Sequence, residues 1–420
     1  MPTSKPAQHP MLHLSSDLSG PKVTPLKDSE LPRLTIVILN WNGRHHLDGC
    51  FESLGGADYE RAKLDVILVD NGSDDGSQMH MAKTHQWVRV IQNERNLGFA
   101  GGCNQGVANA NAPDILVFLN NDLRIEPDFL RNLVAPIVRG QAHAAGGLMQ
   151  SWDGTKIDSA GGGMNFHGIG IMRGYKKPVT PEYEQPRWTL FACGGAMAMR
   201  ADVYQALGGF DNRFFAYYED VDLGWRSWVQ GYQTCYVPSA RCYHHLSSTS
   251  RRVPPERLRL LQVRNPMLAC LKNYDDANFA KVFPVMLALA NRRAFLASGI
   301  DREGFRIEKM VGLPKVGRWQ DLRRRLRKAR AAKQPIDKIG AADLIAIDDV
   351  IGDWKHWMGI RAELQAKRKR PDAEILRLFL RPHWCVEGDA AYKNLQADLS
   401  ERFGLNALFD GLESGEDPPA

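Results

Sequence analysis

Three apolar runs, each ending in a cluster of small polar residues, constrain this 420-residue chain more than any other feature in it. Leu34–Leu39 stops at Asn40-Trp41-Asn42-Gly43, Val66–Val69 at Asp70-Asn71-Gly72-Ser73, and Ile115–Leu119 at Asn120-Asn121-Asp122. A parallel strand buried on both faces reads as an uninterrupted hydrophobic run. Open α/β sheets take ligands just outside the carboxyl ends of such strands. The three polar ends therefore predict one crevice lined from three sides.

The segments between them alternate. The pattern predicts strands at Leu34–Asn40, Val66–Asp70, Val88–Gln92 and Ile115–Asn120, with helices at His46–Leu54, Ser77–His85, Ala100–Ala110 and Pro127–Arg139. Strands alternating with short helices argue for parallel βαβ units. Gly146–Gly174 reads as Gly-rich extended pieces, Phe191–Arg200 as a strand broken at Gly194-Gly195, and Ala201–Leu207 as a helix stopped by Gly208-Gly209. Asp220–Gln230 reads as a helix, and Thr234–Val237 and Arg241–His244 as short strands. Beyond Pro254-Pro255 the pattern is helical, notably at Leu258–Leu271, Phe279–Leu296, Asp343–Leu364 and Ala373–Leu380. The expected organisation is a disordered leader at 1–30, an α/β domain at 31–250, a mainly helical region at 251–412 and a flexible tail at 413–420.

The net charge of +6 is unevenly placed: Arg251–Lys333 holds 21 Lys and Arg against 7 Asp and Glu. Basic amphipathic helices can lie on anionic lipid, so this segment is expected to rest on a membrane surface, with a solvated helical bundle as the alternative. Charge alone also permits nucleic-acid binding, but Gly-rich strand-end chemistry does not support it, and no nucleic-acid partner is expected. No run of about 18 apolar residues occurs and no secretory signal is evident, which predicts a cytoplasmic protein, peripheral at most on the inner face of the membrane. The seven cysteines are scattered without a CxxC pair, which fits a reducing compartment.

Asp70, at a strand end, can accept from a base imide or a ribose hydroxyl, or can simply close an Asx turn. In Asn93–Gly106, Gly98, Gly101 and Gly102 permit close approach of backbone to a ligand, and the following helix offers N–H groups to a phosphate. The stretch is neither a Walker loop nor GxGxxG. Asp122 can hold Mg²⁺ or Mn²⁺ together with a diphosphate. Glu219, Asp220 and Asp222 open a helix after the aromatic run Phe214-Phe215-Ala216-Tyr217-Tyr218, a setting that gives one carboxylate the partial desolvation of a general base. His244 and His245 follow a short strand and are either core histidines or metal ligands.

Taken together, these pieces resemble the family 2 glycosyltransferases, in particular their rhamnosyltransferase-like and galactofuranosyltransferase-like branch. The resemblance covers about residues 33–250 and rests on six pieces in order: Thr35–Gly43, Val69–Ser77, Asn93–Gly106, Phe118–Asp122, Gly194-Gly195-Ala196 and Phe215–Arg226. It implies the GT-A fold, a mostly parallel sheet flanked by helices, here with a C-terminal helical extension. It also implies an inverting hexosyltransferase that moves a sugar from a UDP- or dTDP-sugar to a saccharide or lipid-linked saccharide in cell-surface polysaccharide synthesis. By the resemblance, Asp70 reads the base beside Asn40, Trp41 and Asn42. Asn96, Gly98 and Asn104 come from the Gly-rich stretch to the donor, and Asn120, Asn121 and Asp122 meet its diphosphate. Asp122 and His244 hold the Mg²⁺ or Mn²⁺ ion, with His245 the lesser candidate, and Asp220 is the catalytic base. The family's DxD motif departs here, since its first acidic position is Asn120. Gly146–Gly174 and Trp188–Gly195 are expected to shape the acceptor pocket. A nucleotidyltransferase that makes nucleotide sugars is an alternative, though it would carry Arg and Lys after the first strand. A non-catalytic nucleotide- or carbohydrate-binding subunit is another, and the joint presence of Asp70, Asp122 and Asp220 argues against it.

Overall fold

A computed structural model describes residues 18–245, 253–300, 319 and 336–412. Its frame is a ten-stranded sheet. The strands are β1 (Leu34–Asn40), β2 (Leu64–Asp70), β3 (Arg89–Gln92), β4 (Ile115–Asn120), β5 (Leu123–Ile125), β6 (Ala144–Ser151), β7 (Ile157–Ser159), β8 (Gly162–Met164), β9 (Gly170–Met172), β10 (Arg187–Trp188), β11 (Ala196–Arg200) and β12 (Thr234–His244). The order is β10-β12-β6-β11-β4-β1-β2-β3, with β5 paired to β12 and β7 to β6, while β8 and β9 form a separate ribbon.

The expected parallel units are present: β1 pairs in parallel with both β2 and β4, and β2 with β3. Their crossovers carry α1 (Arg44–Gly55), α2 (Ser77–Thr84) and α3 (Gly98–Ala108). Alternation along β1 feeds both faces, since Ile36 and Ile38 join one core cluster and Val37 the other. The second half of the sheet is mixed. β11 runs antiparallel between β4 and β6, and β6 then pairs in parallel with β12. Sequence reasoning missed β6 as a strand because Gly146 and Gly147 lower its β character. Those glycines allow close packing: a Cβ at Gly146 would press on Ala192, and one at Gly147 on Phe129 and the Ala240 carbonyl. The pieces 234–237 and 241–244 form one strand with a register shift between Val237 and Arg241. The predicted strand at 191–200 begins only at Ala196.

The remaining helices are α4 (Phe129–Val138), α5 (Ala201–Leu207), α6 (Glu219–Val229), α7 (Pro255–Asn273), α8 (Asp276–Ala297), α9 (Lys338–Gly352), α10 (Trp354–Ala366), α11 (Asp372–Ile375), α12 (Ala390–Arg402) and α13 (Leu405–Leu408). The single helix expected at 343–364 is broken at Asp353.

Two sequence expectations need correction. Residues 18–30, read as part of a disordered leader, pack against the domain. Leu18 and Leu26 are buried, and the Arg131 guanidinium donates to the Leu26 carbonyl and to Asp28. Residues 1–17 and the predicted tail lie outside the described residues. Nor do the described C-terminal helices stand apart from the α/β domain as a separate bundle. They share its core, with Trp225 of α6 edge-on to Tyr274 and Phe379. Buried Lys272 on α7 pairs with Asp222 on α6 and with Asp211. Several of the segment's cations face inward in the same way, as in the bidentate Arg259–Asp343 pair.

Candidate active site

Each strand end contributes to one connected polar network. At the end of β1, fully buried Asn40 donates to Asp70 Oδ2 (2.9 Å) and to Ser73 Oγ (3.2 Å), and its Oδ1 accepts from Asn121 Nδ2 (2.7 Å). Asp70 is also fully buried, and its Oδ1 accepts from the Ser73 amide (2.9 Å) and Gln78 Nε2 (2.7 Å). A carboxylate has about four lone-pair sites, and three of those of Asp70 are taken within the protein. Asn42, at positive φ, accepts the Asp74 amide on Oδ1 and donates its own amide to Ser73 Oγ. Trp41 is half-buried beside this loop. The order of the first three polar ends is thus built largely by their own side chains.

The Gly-rich stretch differs from the sequence reading. Asn71, which sequence reasoning passed over, is buried and donates to Asn96 Oδ1 and the Gly98 carbonyl while accepting from Asn93 and the Leu97 amide. Asn96 Oδ1 takes the Gly98 amide, and the Phe215 carbonyl takes the Ala100 amide. These amides, expected to face a phosphate, are therefore engaged within the protein. Gly98 sits at φ +77°, where an added Cβ would strike Phe215. Gly102 and Gly106 admit Leu39 and Val37 of β1, so they serve helix–sheet packing. Asn104 is a strut, donating to the Phe210 carbonyl and Asn212 Oδ1 and accepting from the Tyr204 hydroxyl.

Asp122, 6% exposed, lies beyond β4 and faces the end of β12. Its Oδ1 is 3.2 Å from His244 Nε2, and His244 Nδ1 is 3.2 Å from Asp158 Oδ2 of β7. Asn120 Nδ2 lies 3.3 Å from the same Nε2. Burial disfavours the charged imidazole, but the hydrogen bonds and charges of Asp122 and Asp158 outweigh it and raise the His244 pKa to about 9. His245 takes another direction, stacked on Trp152 at 3.6 Å. Asp158 was missed in the sequence because a three-residue strand in a Gly-rich run carries no spacing signal.

The Gly194-Gly195 turn joins this cluster to α6. The Gly194 amide donates to Asp220 Oδ2 (2.9 Å), and the Gly195 carbonyl accepts the Asn120 amide (2.9 Å). Asp220 is half-buried and its Oδ1 also accepts the Val221 amide. Burial raises its pKa against these amide bonds. Glu219 is more enclosed, and one of its carboxyl oxygens is buried without a hydrogen-bond partner. Burial, then the neighbouring Asp220 charge, lifts the Glu219 pKa far above the usual carboxylate range. Both adjacent carboxyls are pushed toward the neutral form, Glu219 more strongly than Asp220.

The approach to α6 is strained, with Phe215, Tyr217 and Tyr218 all at positive φ. Asn265 of α7 holds it, donating to the carbonyls of Phe214 (2.9 Å), Ala216 (3.1 Å) and Tyr217 (2.8 Å).

The family model described as Glycosyl transferase family 2 matches residues 35–208. Over 249 residues the chain is 30% identical to the N-acetylglucosaminyl-diphospho-decaprenol L-rhamnosyltransferase of Mycobacterium tuberculosis, covering 54% of this chain and 80% of that protein. The chain belongs to glycosyl transferase family 2. This family 2 glycosyltransferase is also 30% identical over 198 residues to the O-antigen biosynthesis protein RfbC of Myxococcus xanthus, covering 45% of this chain and 15% of that one. Its fold is shared with the crystal structure of GalNAc-T7 with UDP, GalNAc and Mn²⁺, at TM-score 0.50 and 17% identity over 78% of this chain and 58% of that one. The GT-A architecture expected from the sequence is therefore present, with the sheet mixed beyond β4.

The residues of the transferase offer a Mg²⁺ or Mn²⁺ ion two donor atoms, Asp122 Oδ1 and His244 Nε2, the second once it gives up the proton that pairs it with Asp122. An oxygen and an imidazole nitrogen converge there, and the other imidazole nitrogen is anchored by a carboxylate, the arrangement that orients metal-binding histidines.

Proposed function

We propose that this enzyme is an inverting transferase that moves a hexose from a UDP- or dTDP-sugar to a saccharide carried on a lipid, in the synthesis of a cell-envelope polysaccharide. The observation that carries the reading is the Gly194-Gly195 turn, which joins the Asp220 carboxylate to the Asp122–His244 pair through consecutive hydrogen bonds. Asp220 takes the proton of the acceptor hydroxyl, and that oxygen attacks the anomeric carbon from the face opposite the nucleotide. No covalent enzyme nucleophile is needed. Asp122 and His244 would hold a Mg²⁺ or Mn²⁺ ion, which would supply positive charge opposite the departing diphosphate. Asp158 fixes the His244 ring, and Asp220, which burial disfavours as an anion less than its neighbour Glu219, serves as the base. Trp41 and Asn42 form the wall on which the pyrimidine rests, and the buried Asp70 and Asn40 behind it hold that loop in place.

The named activities of the Mycobacterium tuberculosis and Myxococcus xanthus relatives favour envelope saccharides as acceptors. Among the described residues no helix is long and apolar enough to cross a membrane, and the basic segment 251–333 is the part proposed to meet the membrane that carries a lipid-linked acceptor. Arg323, Arg324, Arg325 and Arg327, its densest cluster, lie outside the described residues. Donor turnover across UDP- and dTDP-sugars with Mn²⁺, with and without saccharide acceptors, tests the function. Transfer with inverted anomeric configuration is the expected result. Retention of configuration, or turnover only of UTP with a sugar phosphate, would refute it. Salt-sensitive sedimentation with anionic but not neutral vesicles checks the peripheral contact.

A further inference from the structure

A second cluster of ligand atoms lies outside the transfer site, between α1 and α2. Asp48 on α1 places Oδ1 2.7 Å from His80 Nε2 and 2.9 Å from His85 Nε2. One ligand atom from each residue falls within 4.8 Å of the other two. Residues five apart do not share a helix face. They converge here because α2 ends at Thr84: His85 leaves helical geometry at φ −129°, ψ 53°, while its amide still caps the Met81 carbonyl. The rings are held in place. The His85 side chain is 9% exposed and packs 5.4 Å from Phe51, and the His80 side chain is 16% exposed and edge-on to His85. Asp48 is open to solvent, and with His80 it lines a groove shared with Asn42, Arg44, His45, Asp74 and Asp75.

We propose that Asp48, His80 and His85 form a binding site for a transition-metal dication of the Zn²⁺ class, distinct from the Mg²⁺ or Mn²⁺ position at Asp122. Two imidazoles and one carboxylate, with a remaining position open to the groove, make a donor set suited to zinc or cobalt and poorly suited to magnesium. Both rings already direct Nε2 at one point. As Nδ1–H tautomers they present lone pairs there, and any Nε2 proton now donated to Asp48 leaves to solvent as the metal enters. The ion would tie α1 to α2, the helices that follow β1 and β2. It would thereby brace the outer side of the Asn42 and Asp74-Asp75 loops.

The test uses the full chain stripped with chelator and titrated with Co²⁺ alone. It is run in an Asp122→Asn background, so that the transfer site does not compete. One equivalent of cobalt should bind with the visible d–d bands of a low-coordinate site. His80→Gln, His85→Gln and Asp48→Asn should each weaken binding at least about tenfold. The unfolding midpoint should rise with Zn²⁺ in the parent and stay flat in the three variants. Asp48 is exposed, so Asp48→Asn gives a readout even if a histidine variant folds poorly. Equal cobalt affinity in the parent and all three variants would overturn the proposal. So would loss of all cobalt binding on Asp122→Asn alone.

Discussion

Glu219 and Asp220 are adjacent in the chain and differ in what surrounds them. The first has a buried carboxyl oxygen with no partner, and the second accepts two backbone amides. Replacing Asp220 by Asn keeps the shape and removes the basic group. Turnover should fall by ~10²–10⁴-fold, while calorimetry shows nucleotide affinity nearly unchanged. A variant that keeps a third of the parent rate would take Asp220 out of the base role. Asp158 acts one residue further from the substrate. Asp158→Asn should weaken Mn²⁺ affinity, read by calorimetry without any sugar, by ~10–100-fold. Restoration of that affinity in Asp158→Glu would separate positioning of His244 from general destabilisation. The placement of Asp70, Asp122 and His244 at strand ends and of Asp220 at a helix start was legible in the sequence, because such ends leave marks in the letters. Asp158 was not, since it meets His244 across 86 residues through the register of β6, β7 and β12. Gly98 and Gly102 were visible but misread, because one letter serves both ligand approach and close packing.

Helix α7 is the element whose role changed most between sequence and structure. Charge made it a surface helix, yet Asn265, Lys272 and Asn273 on it are buried against the strained loop and α6. The βαβ units could be read from periodicity, which is local. The docking of α7 could not, because it depends on buried polar partners from distant segments. Asn265→Ala removes one amide donor from the Ala216 and Tyr217 carbonyls, while the Phe214 carbonyl keeps the Ala216 amide. A cost of about 1–3 kcal/mol in unfolding free energy is expected. Turnover should fall further than stability alone explains at a temperature where the variant is folded, with nucleotide affinity preserved. Equal loss of nucleotide affinity would show that the loop is not the part being held.

At the scale of the whole molecule, the helical region and the α/β domain share one core cluster, so they should unfold together. His167 gives a handle on this. It is buried in the β8–β9 turn, with Asn165 Nδ2 3.0 Å from Nε2 and the Phe166 ring edge-on to it, and His383 packs on that same Phe166 ring. Burial, then the Arg293 charge, holds its pKa far below the usual 6.5, and burial also lowers that of His383. The unfolded chain therefore takes up protons as pH falls through 6.5 while the folded chain does not. Stability should decline on acidification below that point, by at most about 1.4 kcal/mol per pH unit for each such histidine. Denaturant midpoints from pH 7.5 down to 5 check this, and His167→Gln should flatten the slope. An unchanged slope would place the proton uptake elsewhere.

The seat of Phe215 on Gly98 and Ala100 ties the 214–217 loop to the start of α3. Whatever free energy one substrate adds by tightening that contact must appear, by the same factor, in the other's effect on the first. A nucleotide that sharpens acceptor affinity fivefold would have its own affinity sharpened fivefold by the acceptor. Were the two substrates to meet opposite sides of this contact, a single backbone carbonyl would carry the coupling between them.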